Sequence, residues 1–325
     1  MLNVAIIGIG NIGLLYDQDF NDTSKVLSHI KAIYLHQNFT LKYIVDIDTT
    51  HLSTVKSIFP DVVFYNNYKR LLDKKNIDLL VIATPTHTHF TILDAFHKHK
   101  NIKLFFMEKP LFNKKVEYQS INKSVKNKLV INYLRRYDIN IQKLKLNIKH
   151  NKYGNLQKII IHYCKGLKNN GSHMVDMINF LFNNPTILST KILSHTEGFN
   201  NSDLTYDIFA KIQIENHIIP VYFIGLNHLL YNIIEHNLFF ENKIIKYINS
   251  KSAIEYYDIV PDKNFPEYKV SSNIPRIEEV QTTTLMLNAY DNLVKIIQNN
   301  IENISSYEDE LANIEFLYKI LEGEI

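Results

Sequence analysis

Gly8-Ile9-Gly10-Asn11-Ile12-Gly13 follows a short apolar run, Asn3–Ile7, and leads into the helix-like Leu14-Leu15-Tyr16. A strand, a G-x-G-x-x-G turn and a helix in that order constrain the fold more than any other feature of the chain. The first glycine permits the tight turn, and the second lets the backbone approach a pyrophosphate. The third lets helix and strand pack closely, with the helix N-terminus facing the anion. An ordinary βα turn without ligand could use the same glycines, but the combined context is the one a dinucleotide requires. Gly8, Gly10, Asn11, Ile12 and Gly13 are therefore the expected cofactor residues of this turn.

A dinucleotide site of this kind also needs an acid at the end of the second strand, to accept from the adenosine ribose hydroxyls. Asp46, in Tyr43-Ile44-Val45-Asp46, stands there, and its carboxylate would repel a 2′-phosphate. NAD is favoured over NADP; the alternative is that Asp46 only caps its turn. Asp46 lies 33 residues beyond Gly13, where about 20 is usual. The excess maps to the polar stretch Asp17–Thr23, which reads as a loop inserted after the glycine turn. Such a loop either reaches the ligand crevice or is a plain surface insertion.

Up to about residue 135, short β-branched runs alternate with helical patterns, the mark of βαβ units and a parallel sheet. Strands are expected at Asn3–Ile7, Leu41–Val45, Val62–Phe64, Leu79–Ala83, Leu104–Met107 and Leu129–Asn132. Helices are expected at Lys25–His36, Leu52–Ile58, Tyr68–Lys74, Thr88–Lys98 and Val116–Lys126. Beyond it come a helix at His173–Phe182 and longer strands that follow one another, from Leu156–Tyr163 to Ala253–Ile259. Several alternate polar and apolar residues, as in Lys211-Ile212-Gln213-Ile214, which suits an antiparallel sheet. Helices at Ile277–Asn299 and Tyr307–Leu321 close the chain. The expected architecture is an α/β Rossmann domain over residues 1–135. An α+β domain with a large, mostly antiparallel open sheet follows over residues 136–325.

The bulk properties exclude several functions. A formal net charge of +3, with basic residues scattered, argues against a nucleic-acid partner. No apolar stretch nears the ~20 residues that span a bilayer. Cys164 is the only cysteine, which rules out an intrachain disulfide and a cysteine-cluster metal site. It reads as a buried small residue. With no basic leader before the first strand, the expected compartment is the cytoplasm. The fourteen histidines show no metal-ligand spacing, so no metal is expected.

Two further motifs follow predicted strands, at the carboxyl ends where open α/β sheets bind ligands. They are Ala83-Thr84-Pro85-Thr86-His87-Thr88-His89 and Glu108-Lys109-Pro110. With the glycine turn and the domain order, they resemble the glucose–fructose oxidoreductase / inositol dehydrogenase / rhizopine-catabolism (Gfo/Idh/MocA) family over nearly the whole chain. The resemblance implies that Lys109 lies beside the nicotinamide and the reacting hydroxyl, where an ammonium stabilises a developing alkoxide and relays a proton. It implies that Thr84, Pro85, His89 and Glu108 line the cofactor.

In the second domain the family pattern is an Asp with a His four residues later. Here Asn169 holds the first position and His173 the second. His173 is the implied acid–base group, and Asn169 can orient an imidazole but not stabilise its cation as a charge would. The Gly171-Ser172-His173-x-x-Asp176 form is associated with relatives tied to bacterial surface-polysaccharide sugars. Asp176 either orients His173 and the substrate or simply suits a helix N-terminus. Arg136, in the pair Arg135-Arg136, and Lys165 offer contacts for an anionic substrate; for the arginines an interdomain ion pair explains the residues equally well.

The resulting expectation is an NAD-dependent oxidoreductase. It would move a hydride between nicotinamide and a hydroxyl or keto carbon of a sugar, sugar nucleotide or cyclitol. By resemblance it would form a homodimer or homotetramer through the C-terminal sheet. The alternatives are a non-catalytic NAD(H)-binding sensor or scaffold, which Asn169 favours, and a reductase of a non-sugar substrate.

Overall fold

The computed structural model describes residues 1–17, 19–200, 202–230, 232–298 and 301–322. The chain divides into two compact units, Met1–Tyr137 with Thr283–Glu310, and Asp138–Thr282 with Leu311–Ile325. A single cut after residue 135 therefore misses the return of Thr283–Glu310 to the first unit.

The first unit is built on six parallel strands: β1 (Leu2–Ile7), β2 (Phe39–Val45), β3 (Val63–Tyr65), β4 (Leu79–Ile82), β5 (Leu104–Met107) and β6 (Leu129–Ile131). Their order is β3-β2-β1-β4-β5-β6, the doubly wound arrangement of a Rossmann sheet. β4, β5 and β6 are buried at every residue, as strands covered on both faces must be. The edge strand β3 is half-exposed. One face carries the helix Leu285–Ile297, whose buried Met286, Ala289, Tyr290, Leu293 and Val294 recur at helical spacing. They join Val4, Ile6, Leu41 and Ile30 in one apolar core, which is why the late segment belongs to this unit.

The helix expected at Lys25–His36, beyond the inserted loop, starts later than the sequence suggests. Asn11–Leu15 forms one π-type turn, the chain then leaves the helical path, and a true helix begins only at His29 and runs to Leu35. Buried charges organise the intervening loop. Asp17 accepts from the Leu27 and Ser28 amides at 2.8 and 2.6 Å and from the Ser28 hydroxyl at 2.8 Å. Lys31 pairs with Asp17 at 3.7 Å and donates to the carbonyls of Asp19 and Asp22, both at 2.7 Å. The expected helices at Tyr68–Lys74 and Val116–Lys126 prove to be a 3-10 turn, Tyr68–Leu71, and two short helices, Lys115–Ser120 and Lys123–Lys126.

The second unit carries β7 (Leu156–Cys164), β8 (Thr186–Asn200), β9 (Asp203–Ile214), β10 (His217–Leu226), β11 (Glu235–Phe240), β12 (Lys243–Ile248), β13 (Ala253–Pro261), β14 (Lys269–Ser271) and β15 (Arg276–Glu279). The order is β14-β13-β12-β11-β7-β10-β9-β8, with β15 beside β13, and every pair is antiparallel except β7 with β10. β15 occupies the start of the segment expected to be helical from Ile277; its pairing with β13 overrides the local pattern. A helix not anticipated, Ile139–Lys149, opens the unit behind the Asp138 cap. Only Ile141 and Leu144 of its residues are buried, so its apolar stripe is too thin to read from sequence. Among the described residues no helix is long and apolar enough to cross a membrane.

The Asp17 cluster makes a direct prediction. Asp17→Ala strips three hydrogen bonds and leaves the Lys31 ammonium buried without its carboxylate. Urea unfolding should show a loss of about 3 kcal/mol; a change under about 0.5 kcal/mol, the range of ordinary surface substitutions, would mean that the loop is not held this way.

Candidate active site

Parallel register places one residue from each strand along the carboxyl edge of the first sheet. Ile7 pairs with Val45 and with Ile82, Ile82 pairs with Met107, and Met107 with Ile131. The next residues, Gly8, Asp46, Ala83, Glu108 and Asn132, thus form a row. Backbone bonds tie them: Gly8 N to Val45 O, Ala83 N to Ile7 O, Glu108 N to Ile82 O and Asn132 N to Met107 O. Motifs up to 124 positions apart, from Gly8 to Asn132, become neighbours by register alone.

Gly8 sits at φ +96, and a β-carbon there would lie 2.7 Å from the Ala83 carbonyl. At Gly13 a β-carbon would collide with the Gly8 carbonyl, whereas at Gly10 it would meet nothing within 4 Å. Two glycines are therefore demanded by the protein's own packing, while Gly10 and Asn11, both exposed, leave open backbone at the tip. That open tip beside an acid is the shape a dinucleotide pyrophosphate and ribose would fill. The single π-type turn behind it supplies local amides rather than the dipole of a long helix. Ile12 is half-buried on that turn. Asp46 is half-exposed; its Oδ2 accepts from Ile9 N at 2.7 Å and its Oδ1 from Asp48 N at 2.9 Å. It thus fixes the glycine turn to the end of β2, and its remaining lone pairs stay available to ribose hydroxyls.

Lys109 is half-buried at the end of β5. Glu108, just before it, is nearly buried, and its Oε1 accepts from His29 Nε2 at 3.0 Å and Asn132 Nδ2 at 2.6 Å. Burial pushes the Glu108 carboxyl up, but His29, Asn132 and Lys109 together outweigh it and hold the group below the usual range. Glu108 is thus an internal anchor of the sheet edge. After Pro110, the Leu111 amide donates to buried Glu310 at 3.0 Å, and Tyr118 and Tyr133 donate to the same carboxylate.

Thr84 and Pro85 form the turn after β4, where the Thr84 and Thr88 hydroxyls share a 2.7 Å bond and Thr88 donates to Pro85 O. His89 departs from its expected place on a cofactor surface. It is fully buried, with Nε2 2.8 Å from Thr84 O and Nδ1 3.0 Å from Leu111 O. It braces the Thr84 turn against the segment that follows Lys109. Burial holds its imidazole below the usual histidine range, outweighing the two carbonyls and Glu108.

Arg136 is buried in the first unit. It is 1% exposed; Nη1 donates to Ile304 O at 2.6 Å and lies 3.0 Å from Asp309 Oδ1. Its ion pair with Asp309 lies within the first unit. Burial raises the Asp309 carboxyl, but Arg136 and Ser306 outweigh that and hold it low.

In the second unit, His173 is half-buried as the second residue of the helix Ser172–Phe182. The turn before it, Gly166–Gly171, hangs on Asp203, a residue that sequence reasoning missed. The Asp203 carboxylate accepts from the Lys168 and Asn169 amides at 2.8 and 2.9 Å, and Thr205 receives the Gly166 amide at 2.9 Å. A β-carbon on Gly166, at φ +87, would strike that same carboxylate. The Asn169 side-chain amide donates to the Lys165 carbonyl at 3.3 Å. Lys165 is exposed, with its Nζ 5.5 Å from the Phe199 ring. Asp176 is 3% exposed and accepts from Asn313, which also accepts from Asn179. It ties its helix to the C-terminal helix Tyr307–Glu322 and does not offer itself to a substrate. Cys164 is buried, as expected, and its thiol donates to Asn232.

Residues 2–133 match the family described as an oxidoreductase family with an NAD-binding Rossmann fold. Solved structures share the fold along the whole chain at low identity. An oxidoreductase from Sinorhizobium meliloti is 13% identical with a TM-score of 0.75, covering 99% of this chain and 97% of its own. The dehydrogenase MviM from Clostridium difficile is 13% identical with a TM-score of 0.72, covering 99% of both chains. The super-repressor mutant of Gal80p from Saccharomyces cerevisiae is 13% identical with a TM-score of 0.73, covering 99% and 96%. No curated protein matches the sequence significantly.

The buried imidazole of His89 gives a pH test. An unfolded histidine takes up its proton near pH ~6.5, whereas His89 in the fold does so only lower. The stability contributed by neutral His89 is full above that window and is lost as pH falls through it. Urea midpoints should therefore drop more steeply between about pH 7 and pH 5 in the wild type than in His89→Gln. Equal slopes would show that His89 is not held neutral.

Proposed function

We propose, from the premise that residues 2–133 belong to the Gfo/Idh/MocA oxidoreductase family with its NAD-binding Rossmann fold, that the protein is an NAD-dependent oxidoreductase acting on an alcohol or keto carbon of a sugar, sugar nucleotide or cyclitol. The observation that carries this reading is the row along the sheet edge, which brings the open Gly10 tip, Asp46, the Thr84 turn and Lys109 to one border of one sheet.

Bound NAD would supply the hydride acceptor, or, as NADH, the donor. The glycine turn would hold the pyrophosphate through its free amides, with Asn11 and Ile12 alongside. Asp46 would accept from the ribose hydroxyls and repel a 2′-phosphate, the reason to prefer NAD over NADP. Lys109 would place its ammonium at the reacting oxygen, where charge grows as the hydroxyl proton leaves. His173 would take that proton as base, or return it when the reaction runs backwards. Lys165, exposed near the same turn of the second unit, would meet an anionic part of the substrate. With its amide engaged on the Lys165 carbonyl, Asn169 would shape the loop and leave the proton work to His173 and Lys109. The Gly-Ser-His-x-x-Asp form supports a place in surface-polysaccharide sugar synthesis, in the cytoplasm. Half-exposed Ile160, Ile224, Phe239 and Ile244, with His162, Asn237, Lys246, Tyr257 and Ser271 among them, line a concavity of about 370 Å³ on the second sheet, its exposed area mostly apolar. That apolar face supports self-association as a homodimer or homotetramer.

A second reading has two observations in its favour. Asn169 puts no charge beside His173, and the chain shares its fold with the Gal80p super-repressor mutant. A non-catalytic NAD(H)-binding sensor would keep the glycine turn and lack turnover.

Reduced-nicotinamide absorbance across a panel of sugars, sugar nucleotides and cyclitols separates the two. We expect turnover with at least one of them. Lys109→Met should abolish it while dinucleotide affinity stays within a few-fold, since Lys109 acts at the reacting carbon. Full activity in that variant would remove Lys109 from the chemistry, and binding without turnover on any substrate would favour the sensor. Asp46→Ala should weaken NAD binding by about tenfold or more, the loss of charge-assisted hydrogen bonds to the ribose. An unchanged affinity would reduce Asp46 to a turn cap.

A further inference from the structure

Phe199 is a large aromatic residue left 53% exposed near the end of β8. Lys165 Nζ lies 5.5 Å from the centre of its ring. Two backbone irregularities bring the pair together. β8 and β9 pair at Thr196 with Thr205 and again at Asn200 with Asp203, so Glu197, Gly198 and Phe199 stand opposite Leu204 alone. A bulge of this kind re-aims side chains and is common beside functional sites. On the other element, Lys165 adopts φ +67, a left-handed conformation rare for a residue with a β-carbon, and Gly166 follows at φ +87. Such a conformation persists where the surroundings over-determine it.

Asp203 holds both irregularities. Its backbone closes on Gly198, where a β-carbon would collide with the Asp203 carbonyl. Its carboxylate takes the Lys168 and Asn169 amides at 2.8 and 2.9 Å and leaves no room for a β-carbon on Gly166. The Asn169 side-chain amide, 3.3 Å from the Lys165 carbonyl, closes the same turn. The aromatic ring and the turn that leads into His173 therefore share one mount. Over residues 165–173 and 197–200, two exposed lysines, Lys165 and Lys168, stand against one exposed carboxylate, Glu197, so the patch is net cationic.

We propose that Phe199 is a stacking platform for the base of a nucleoside-diphosphate sugar, with the diphosphate on Lys165 and Lys168 and the sugar carried towards His173. The proposal rests on reading His173 as the acid–base group, and it narrows the substrate of that site to one class. A base offers a flat π-face to the exposed side of the ring, and a diphosphate offers its charge to an ammonium. A free sugar or cyclitol is neutral and gives the two lysines no charge to meet.

Isothermal titration of the full-length protein, with NAD in excess so that the glycine turn is occupied, reads binding of UDP, dTDP, CDP, GDP and ADP without any turnover. Its failure is thus distinct from failure of the redox reading, which the absorbance panel decides. At least one of these nucleotides should bind at sub-millimolar concentration. Phe199→Ala should weaken it about fivefold or more, on the scale of stacking one base, and leave the affinity for inorganic pyrophosphate unchanged. Phe199→Tyr should keep the nucleotide affinity, whereas Phe199→Leu, apolar but without a π-face, should lose it. Lys165→Gln should weaken the nucleotide and pyrophosphate alike. Binding of none of them, or equal affinities in wild type and Phe199→Ala, overturns the proposal. So does a Leu variant that binds as tightly as the Tyr variant, which would make the ring mere bulk. A Phe199→Ala effect confined to oligomeric state, read by gel filtration, would place the ring in a subunit interface and overturn it as well.

Discussion

The arrangement depends on the absence of two β-carbons. At Gly8 the chain must turn at positive φ against the Ala83 carbonyl, and at Gly13 it must pass the Gly8 carbonyl. Any larger residue would push β1 from β4 or lift the turn from the sheet. With both glycines in place the central strands keep their register. Asp46, Ala83, Glu108 and Asn132 then line up beside the turn as a consequence of backbone pairing. The candidate site of the first unit is in this sense a property of the sheet edge, with side chains chosen to suit it.

Beneath that edge the protein spends buried charge in pairs. Glu108 is held by an imidazole and an amide, Glu310 by two phenols and a backbone amide, and Asp309 by Arg136. Buried ions of this kind add little net stability, but removing one partner is costly, so they fix geometry more than they strengthen the fold. The loop after the glycine turn follows the same rule. Asp17 and Lys31 replace the hydrogen bonds that an unbroken helix would have supplied.

Much of this was legible in the sequence, and the reasons differ by element. β5 was placed to the residue, because a continuous apolar run bounded by turns has few other solutions. The glycine turn and the residues that end β2, β4 and β5 were legible because each motif sits next to its strand. The roles of His89, Arg136 and Asp176 were not, since nothing local distinguishes a polar residue facing a ligand from one buried with partners. His29 and Asp203 escaped for a related reason. Their partners, Glu108 and the Gly166–Gly171 turn, lie tens of residues away, and only tertiary packing brings them together. The return of Thr283–Glu310 to the first unit was hidden in the same way, although the period of Met286, Ala289, Tyr290 and Leu293 did reveal a helix.

The central proposal is that the carboxyl edge of the first sheet holds NAD with its nicotinamide beside Lys109. A crystal structure of the protein grown with NAD tests it most directly. The account predicts a dinucleotide without a 2′-phosphate along the Gly8–Gly13 turn, its ribose on Asp46, and its nicotinamide within reach of Lys109 Nζ. A nicotinamide that Lys109 cannot approach would contradict it.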